Sequence, residues 1–239
     1  MALWIAAALA AFFIKGLCGF ANTLVFTGVA GFSADNVLIS PVELVLGYPS
    51  NLILTWKNRN ALSFRIWGPL AALVILGSIP GALLLKNADA RVLKIVFGAV
   101  VALIGAEMLL REYRPGRGLR GSNVLLWTVG VLSGLLCGLF GVGALMAAYV
   151  GRVTDSTDGF KANLSAVFIV ENTVRLILYA CIGVLTAAAL KKALILAPFM
   201  LVGLFAGMKC AKRVDEKWVR RLVILFLILS GIVLIVKNI

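Results

Sequence analysis

Histidine is absent from this 239-residue chain, and acidic residues are scarce, with 10 Asp and Glu against 23 Lys and Arg. The 4 cysteines lie in or beside apolar stretches and show no C-x-x-C spacing. Zinc and haem sites draw most of their ligands from histidine and cysteine. The sequence therefore predicts no metal site and no cofactor, and we expect the cysteines to be buried thiols.

Charged residues and long polar stretches are also rare. Only 14% of the chain is charged and 62% is hydrophobic, whereas a soluble domain carries about a quarter charged residues. The uncharged runs 66–85 and 123–151 exceed the roughly 18 to 20 residues that cross a bilayer. The first apolar run starts at Ala2 and its first lysine follows it, the reverse of a signal peptide, so we expect it to be retained. These features predict an all-α, polytopic integral membrane protein.

The formal net charge of +13 comes from short turns between the apolar segments. The largest groups of basic residues fall within 57–65, 111–120 and 209–221. Positive-inside topology and anionic lipid headgroups explain this pattern, so membrane lipids are expected partners. Nucleic-acid binding is excluded because the charges lie in separate turns that flank the membrane.

The apolar runs divide the chain into eight helical segments. They span roughly 2–32, 37–56, 66–86, 92–110, 123–150, 160–181, 187–208 and 218–237. The basic linker EYRPGRGLRGS at 112–122 lies near the middle. This organisation predicts a four-segment repeat at 1–111 and a second four-segment repeat at 123–239.

A shift of 126 residues supports the repeat. It superimposes residues 68–89 on 194–215, placing Gly77 on Gly203 and Gly81 on Gly207. Such duplications are common in transporters, where the substrate site lies at the repeat interface. Parallel and inverted copies both fit the sequence. If the first segment of each repeat is re-entrant, the repeats are inverted and most basic loops lie on one side, as the positive-inside rule favours.

The first segment of each repeat is too long for one span and has glycines in its middle. FFIKGLCGFANTL occupies residues 12–24, and SGLLCGLFGVGAL begins at residue 133. We expect both segments to be broken helices whose exposed amides and half-helix N-termini bind an anion. The alternative is that Gly130, Gly134 and Gly138 form only a tight packing face.

Ionisable residues inside apolar segments are costly and often functional. Lys15 either snorkels to an interface or is a fixed positive charge beside the first break. Glu171 and Arg175 are four residues apart and can pair, either as a structural ion pair or as a counter-ion or proton carrier beside an oxyanion ligand. The candidate substrate-binding residues are Lys15, Gly16, Cys18, Gly19, Asn22, Asn51, Cys137, Gly138, Gly141, Gly143 and Arg175, and the candidates for proton or charge coupling are Glu43 and Glu171.

The two four-segment halves with glycine-rich openings resemble the TauE/SafE sulfite exporter family. The match is clearest in SGLLCGLFGVGALMAAYV, at 133–150, and in the following KANLSAVFIVENTVR. The first repeat departs from the family pattern because CGFANTL contains less glycine. The resemblance implies a non-enzymatic secondary transporter that moves sulfite-like anions or organosulfonates across the cytoplasmic membrane by alternating access. A homodimer is a candidate assembly.

Two other functions fit parts of the sequence. Cys18 and Cys137 are each followed by glycine in their repeats, which would suit a membrane thiol–disulfide electron carrier. That class usually has proline next to the cysteine, whereas leucine precedes both cysteines here. An anion channel is the second alternative.

Overall fold

The computed structural model describes residues 1–87, 89–113, 123–141, 143–154 and 156–211, together with single positions between 221 and 236. The linker from residue 114 onward and most of the predicted eighth segment lie outside the described residues. The described ranges form α helices and one 3-10 turn, Arg59–Ala61, without a strand. The helices are α1 (Ala2–Cys18), α2 (Asn22–Ala30), α3 (Asn36–Lys57), α4 (Phe64–Asn87), α5 (Ala90–Tyr113), α6 (Asn123–Phe140), α7 (Ala144–Val153), α8 (Thr157–Cys181) and α9 (Ala187–Cys210).

Four described helices are long and apolar enough to cross a membrane: 36–57, 64–85, 157–181 and 187–210. Two further apolar helices are shorter, Ala2–Cys18 and Leu126–Leu139. They belong to the first segment of each predicted repeat. The prediction of an all-α membrane protein is confirmed.

The first segment is broken and folds back on itself. Helix α1 ends at Cys18, Gly19 has a φ of 86°, and Ala21 has a φ of 69° before α2 begins. A continuous helix would place Trp4 and Phe26 about 33 Å apart. Their ring centroids instead lie 5.8 Å apart, so α2 returns beside α1. The segment is a re-entrant hairpin.

The fifth segment forms a second hairpin. Helix α6 ends before Gly141, which has a φ of 71°, and α7 begins at Ala144. Gly143 lies beside Phe168, and Gly151 lies beside Phe160, so α7 runs antiparallel to α8. Both predicted broken segments are therefore confirmed. The second break starts at Gly141, outside the regular Gly130–Gly138 spacing.

Glycines at 130, 134 and 138 form a packing face, as the alternative interpretation held. A Cβ at Gly81 of α4 would lie 3.0 Å from the Cα atom of Gly138, and one at Gly207 of α9 would lie 3.0 Å from the Cα atom of Gly16. The same Cβ atoms would lie even closer to the carbonyl oxygens of Leu135 and Phe13, closer than real side chains pack, so glycine allows the backbones to meet. Each re-entrant helix thus packs on a G-x-x-x-G helix of the other half.

The contacts along these helices fix their directions. Residue 134 faces 77 and residue 138 faces 81, so α6 is parallel to α4. Residue 9 faces 203 and residue 13 faces 207, so α1 is parallel to α9. Ser40 contacts Tyr179 and Asn163 contacts Ala61, so α3 and α8 are antiparallel.

The two hairpins enter from opposite sides of the membrane. The carboxyl-terminal residues of α3 and α9 lie side by side along one groove, so these two helices run in the same direction. Helix α4 follows α3 after a short turn and runs in the opposite direction. Consequently α1, α3 and α9 run one way, and α4, α6 and α8 run the other way. The corresponding described helices of the two halves therefore run in opposite directions, as inverted repeats would. We name the side where α3 and α9 end the basic side, because it holds Lys57, Arg59, Arg65 and Lys209.

Candidate functional site

The carboxylate of Glu43 lies at the beginning of α2, beside the first break. Glu43 is 2% exposed and accepts hydrogen bonds from the Asn22 amide and, at 2.8 Å, from the Thr23 hydroxyl. Gly47, one turn along α3, leaves space for this cluster, since a Cβ there would lie 3.2 Å from the Glu43 carboxylate. A negative group at a helix N-terminus is electrostatically favourable. Glu43 is therefore held in place by the re-entrant hairpin.

Arg175 on α8 connects the second break to this carboxylate. Its guanidinium donates to the Cys137 carbonyl oxygen and, at 3.1 Å, to the side-chain oxygen of Asn172. It also lies 3.4 Å from Glu171 and 3.9 Å from Glu43. One buried cation thus faces two buried carboxylates, and its charge offsets part of the cost of placing these groups away from water.

The carboxyl end of α6 is capped by side chains from other helices. Arg175 binds the Cys137 carbonyl, and the Tyr179 hydroxyl donates to the Gly138 carbonyl at 3.0 Å. The Asn36 amide donates to the Leu139 carbonyl at 2.9 Å. The last carbonyls of a helix have no partner within the helix and carry the negative end of its dipole. These caps allow α6 to end inside the protein.

Helix α1 is capped in a similar way. The ammonium group of Lys161 donates to the Leu17 carbonyl oxygen at 2.8 Å, and its side chain packs against Gly19. A lysine on α8 therefore stabilises the tip of the first hairpin.

Lys15 lies in the last turn of α1 and is 1% exposed. Its ammonium is 5.9 Å from the ring centroids of both Phe12 and Phe168. Within the described part of the chain it has no hydrogen-bond or ion-pair partner. The ammonium is therefore enclosed by protein and does not snorkel to an exposed surface.

Several buried polar groups near this cluster also lack a hydrogen bond among the described residues. Neither carboxylate oxygen of Glu171 accepts a hydrogen bond there, although Glu171 forms an ion pair with Arg175. The other groups without a hydrogen bond are Asn51 Oδ1 and Thr55 Oγ1 on α3 and Ser165 Oγ on α8. We name the last three the polar row.

The polar row lies between the central cluster and the basic side. Asn51 and Thr55 are four residues apart on α3, so they lie on one face of this helix. Antiparallel packing places Ser165 at a similar depth on α8. Unsatisfied buried groups of this kind commonly bind water or a ligand.

The structure brings together some of the predicted site residues. A Cβ at Gly141 would meet Arg175 at 2.8 Å and Glu43 at 3.2 Å, so the second break lies directly on the charged cluster. Gly143 lies beside Phe168, which also contacts Lys15. Asn22, Glu43, Gly141, Glu171 and Arg175 thus form one centre.

Other predicted residues lie at the edges of that centre. Gly16 and Gly138 are in helix–helix contacts, and Gly19 lies against Lys161. Cys18 is half-buried, whereas Cys137 is fully buried. The anion-binding roles of these residues stay predictions.

The two cysteines do not occupy equivalent positions in the two hairpins. The amide of Gly19 donates to the Lys15 carbonyl, and the amide of Gly141 donates to the Cys137 carbonyl. By these equivalent helix ends, Cys137 corresponds to Lys15, and Cys18 corresponds to Phe140. Cys18 therefore lies about one helical turn beyond Lys15, the residue of the first hairpin that is equivalent to Cys137.

Three residues of the cluster were not among the predicted sites: Thr23, Lys161 and Tyr179. Tyr179 follows Arg175 by four residues, as Arg175 follows Glu171, and this spacing indicates a shared polar face. Thr23 directly follows Asn22 in the break. The role of Lys161 depends on a contact across 144 residues, which has no local sequence signal.

Inverted re-entrant hairpins that meet at a buried charged cluster define an integral membrane protein with the architecture of a secondary transporter. The sulfite exporter TauE/SafE family model matches residues 3–234, nearly the whole chain. The protein belongs to this family of membrane transporters, as the sequence resemblance predicted. Searches of curated proteins and of solved structures gave no match.

Proposed function

We propose that the protein exports a small sulfur-containing oxyanion or organosulfonate across the cytoplasmic membrane by alternating access. The observation that carries this proposal is the buried Lys15 ammonium, which lies near two aromatic rings and has neither a hydrogen bond nor an ion pair among the described residues. The described carboxylate that acts on it electrostatically, Glu43, is already held by Asn22 and Thr23. A charge at this depth without an ion pair costs on the order of several kcal/mol. A bound anion would supply the missing negative charge and hydrogen-bond acceptors.

The neighbouring charges support a division of roles. Glu43 is fixed by Asn22 and Thr23, and the guanidinium of Arg175 is fixed by the end of α6. Among the described residues, Glu171 has an ion pair with Arg175 and no hydrogen bond. We assign the coupling proton to Glu171 and assign Glu43 to holding the Arg175 charge in place. Arg175 contributes positive potential to the anion site through its position beside Gly141.

Inverted repeats support alternating access because the two hairpins offer equivalent routes from opposite sides. The polar row extends from the centre toward the basic side. By the positive-inside rule this side is the cytoplasm. The anion would therefore enter along the polar row, occupy the site beside Lys15, and leave beside the first hairpin, which enters from the opposite side.

Transport in proteoliposomes tests the proposal. Sulfite, thiosulfate, sulfate and a short organosulfonate are compared with chloride and nitrate, with and without an imposed proton gradient. We expect saturable transport of at least one sulfur anion and acceleration by the gradient. Flux that does not saturate and ignores every ion gradient would assign the protein to the channel class.

Ligand binding gives a second, independent measurement. A ligand that binds only the folded protein raises its apparent melting temperature by mass action. The same anions are therefore added to purified protein in detergent. A shift with sulfur anions but not with chloride at equal ionic strength supports a sulfur-oxyanion site, and equal shifts with all anions oppose it.

A further inference from the structure

A lateral groove opens between α3 and α9 near the basic side. Its volume is about 770 Å³, and it is lined by Leu52, Ile53, Trp56, Lys57, Phe205, Met208 and Lys209. The residues on its floor and walls are mostly apolar. Leu52 is 45% exposed and Phe205 is 54% exposed, so the groove faces outward from the helix bundle.

The position of the groove along the helices matches a membrane interface. Helix α3 ends at Lys57, and α9 ends at Cys210, so the lysine end of the groove lies at the ends of both helices. Trp56 is 72% exposed, and the Arg59 guanidinium lies 5.0 Å from its ring centroid. Tryptophan beside a basic residue is typical of the headgroup level of a bilayer. Leu52 and Phe205 lie about one turn deeper, at the level of acyl chains.

Charge and shape in the groove together select one kind of ligand. Lys57 comes from α3 and Lys209 from α9, so two ammonium groups border the same end of one apolar groove. The described partner of the Lys57 ammonium is the Met208 sulfur at 3.7 Å, a weak acceptor that leaves its charge uncompensated. The molecule that matches this surface has an anionic head and a long apolar body.

We propose that the lateral groove binds an anionic phospholipid of the leaflet on the basic side. Its phosphate would bind between Lys57 and Lys209, and one acyl chain would pack between Leu52 and Phe205. The leaflet that faces the cytoplasm is rich in anionic lipid, and each nearby lysine favours such lipid electrostatically. This site is separate from the anion site and does not depend on the proposed transport function.

Lipid in the groove would bridge two parts of the central site. Helix α3 carries Glu43, and α9 packs against α1, which carries Lys15. A lipid that joins α3 to α9 therefore limits how far the first hairpin can separate from Glu43. In this proposal, bound anionic lipid stabilises the position of the first hairpin relative to Glu43.

Native mass spectrometry of the purified protein tests this site. The protein is titrated with phosphatidylglycerol and with phosphatidylcholine that carry the same acyl chains. We expect one adduct with clear preference for phosphatidylglycerol. In the double variant Lys57→Gln/Lys209→Gln the affinity for phosphatidylglycerol should fall roughly 30-fold. Each lysine contributes about 1 kcal/mol to the binding of anionic lipid, and about 1.4 kcal/mol corresponds to a tenfold change in affinity.

Two control variants separate the site from general charge effects. Lys191→Gln/Lys192→Gln removes the same charge from the opposite end of α9 and should keep the affinity of the parent protein. Lys57→Arg/Lys209→Arg keeps the charge and should keep the preference. Equal binding of the two lipids, or equal losses in both glutamine variants, would overturn the proposal. A dimer that is abolished by Phe205→Glu, with no lipid adduct in the parent protein, would assign the groove to a second copy of the chain.

Discussion

The guanidinium of Arg175 binds the carbonyl oxygen of Cys137, so the charged residue of α8 is also a cap for the half-helix α6. Its distances to Glu171 and Glu43 place two carboxylates around the same cation. The ion pair and the helix end are thus one structural unit. This relationship joins the two interpretations that the sequence left open, a structural ion pair and an element of the anion site.

Substitution of Arg175 by glutamine should destabilise the protein strongly. It removes the α6 cap and leaves two buried carboxylates without their cation, and breaking a buried ion pair costs about 3–5 kcal/mol. Thermal unfolding in detergent should show a lower melting temperature for Arg175→Gln. The double variant Arg175→Gln/Glu171→Gln should recover part of the loss because one uncompensated charge is removed. If the double variant is as unstable as the sum of the single variants, the two side chains are not coupled.

Lys15→Met should weaken anion binding without lowering the stability of the protein, unlike Arg175→Gln. The ammonium has no described hydrogen-bond or ion-pair partner, so its removal should keep or raise the melting temperature. The apparent Kd for the transported anion should rise roughly tenfold to a hundredfold, because a charge-assisted hydrogen bond is worth about 1.5–3 kcal/mol.

Lys161→Met is the matched comparison for Lys15→Met. Both residues are buried lysines near the tip of α1, but Lys161 caps the Leu17 carbonyl. Its substitution should lower the melting temperature. If Lys15→Met is the less stable of the two variants, or if it binds the anion as the parent protein does, the assigned role of Lys15 is wrong.

Glu171→Gln should separate transport from its driving force. The carboxylate has no described hydrogen bond that holds it in one state, and glutamine keeps its shape without a titratable proton. In proteoliposomes, exchange of labelled anion across the membrane should continue, while accumulation driven by a proton gradient should disappear. Glu43→Gln serves as the comparison, and it should reduce both activities because it loosens Arg175. A Glu171→Gln variant that still accumulates anion at the parental rate would remove Glu171 from the coupling role.

The two glycine contacts should respond alike to alanine. At Gly16 and at Gly138 an added methyl group would meet the backbone of the neighbouring helix, and overpacking of this kind costs about 1–3 kcal/mol. Gly151→Ala is the control, because its Cβ would be 3.7 Å from Phe160, an ordinary contact. This substitution should raise stability by about 0.5–1 kcal/mol through helix propensity. Equal melting temperatures for all three variants would contradict the close packing of α1 on α9 and of α6 on α4.

The polar row should be accessible from the basic side. In a background with the native cysteines replaced by serine, Thr55→Cys and Ser165→Cys should react with a small charged thiol reagent added on that side. Bound substrate should slow the reaction. Leu46→Cys, on the part of α3 that packs in the apolar core, should stay unmodified. Reaction of the two test cysteines only from the opposite side would reverse the proposed direction of access.

The sequence predicted the broken segments because their anomalies are local. A lysine and two glycines interrupt the first segment, and the fifth is longer than one span. The place of the second break was less accessible to prediction, since glycine serves both close packing and left-handed backbone. Gly138 packs against α4, while Gly141, three residues later, takes the φ of 71°. Only the position of α4 distinguishes these two roles.

The correspondence of the two cysteines shows a different limit. The shared Leu-Cys-Gly at Cys18 and Cys137 suggested nearly equivalent positions for the two cysteines, whereas the hydrogen bonds at the helix ends align Lys15 with Cys137. A short motif with two glycines can match at several shifts, and the physical register is set by which glycine adopts the left-handed conformation. The capping contacts of Lys161 and Tyr179 join residues far apart in sequence, so local patterns could not predict them.

The exchange of packing partners between the halves has a consequence for how the chain is made. Helix α1 is synthesised before α9, and the α9 surface on which Gly16 rests follows about 190 residues later. The first hairpin must therefore wait in the membrane, or at its surface, with its glycine face uncovered until α9 has been synthesised. Helix α6 meets α4 after a much shorter delay. The second hairpin can thus pack on α4 before α9 has been made, and closure of the first hairpin on α9 is the later of the two steps.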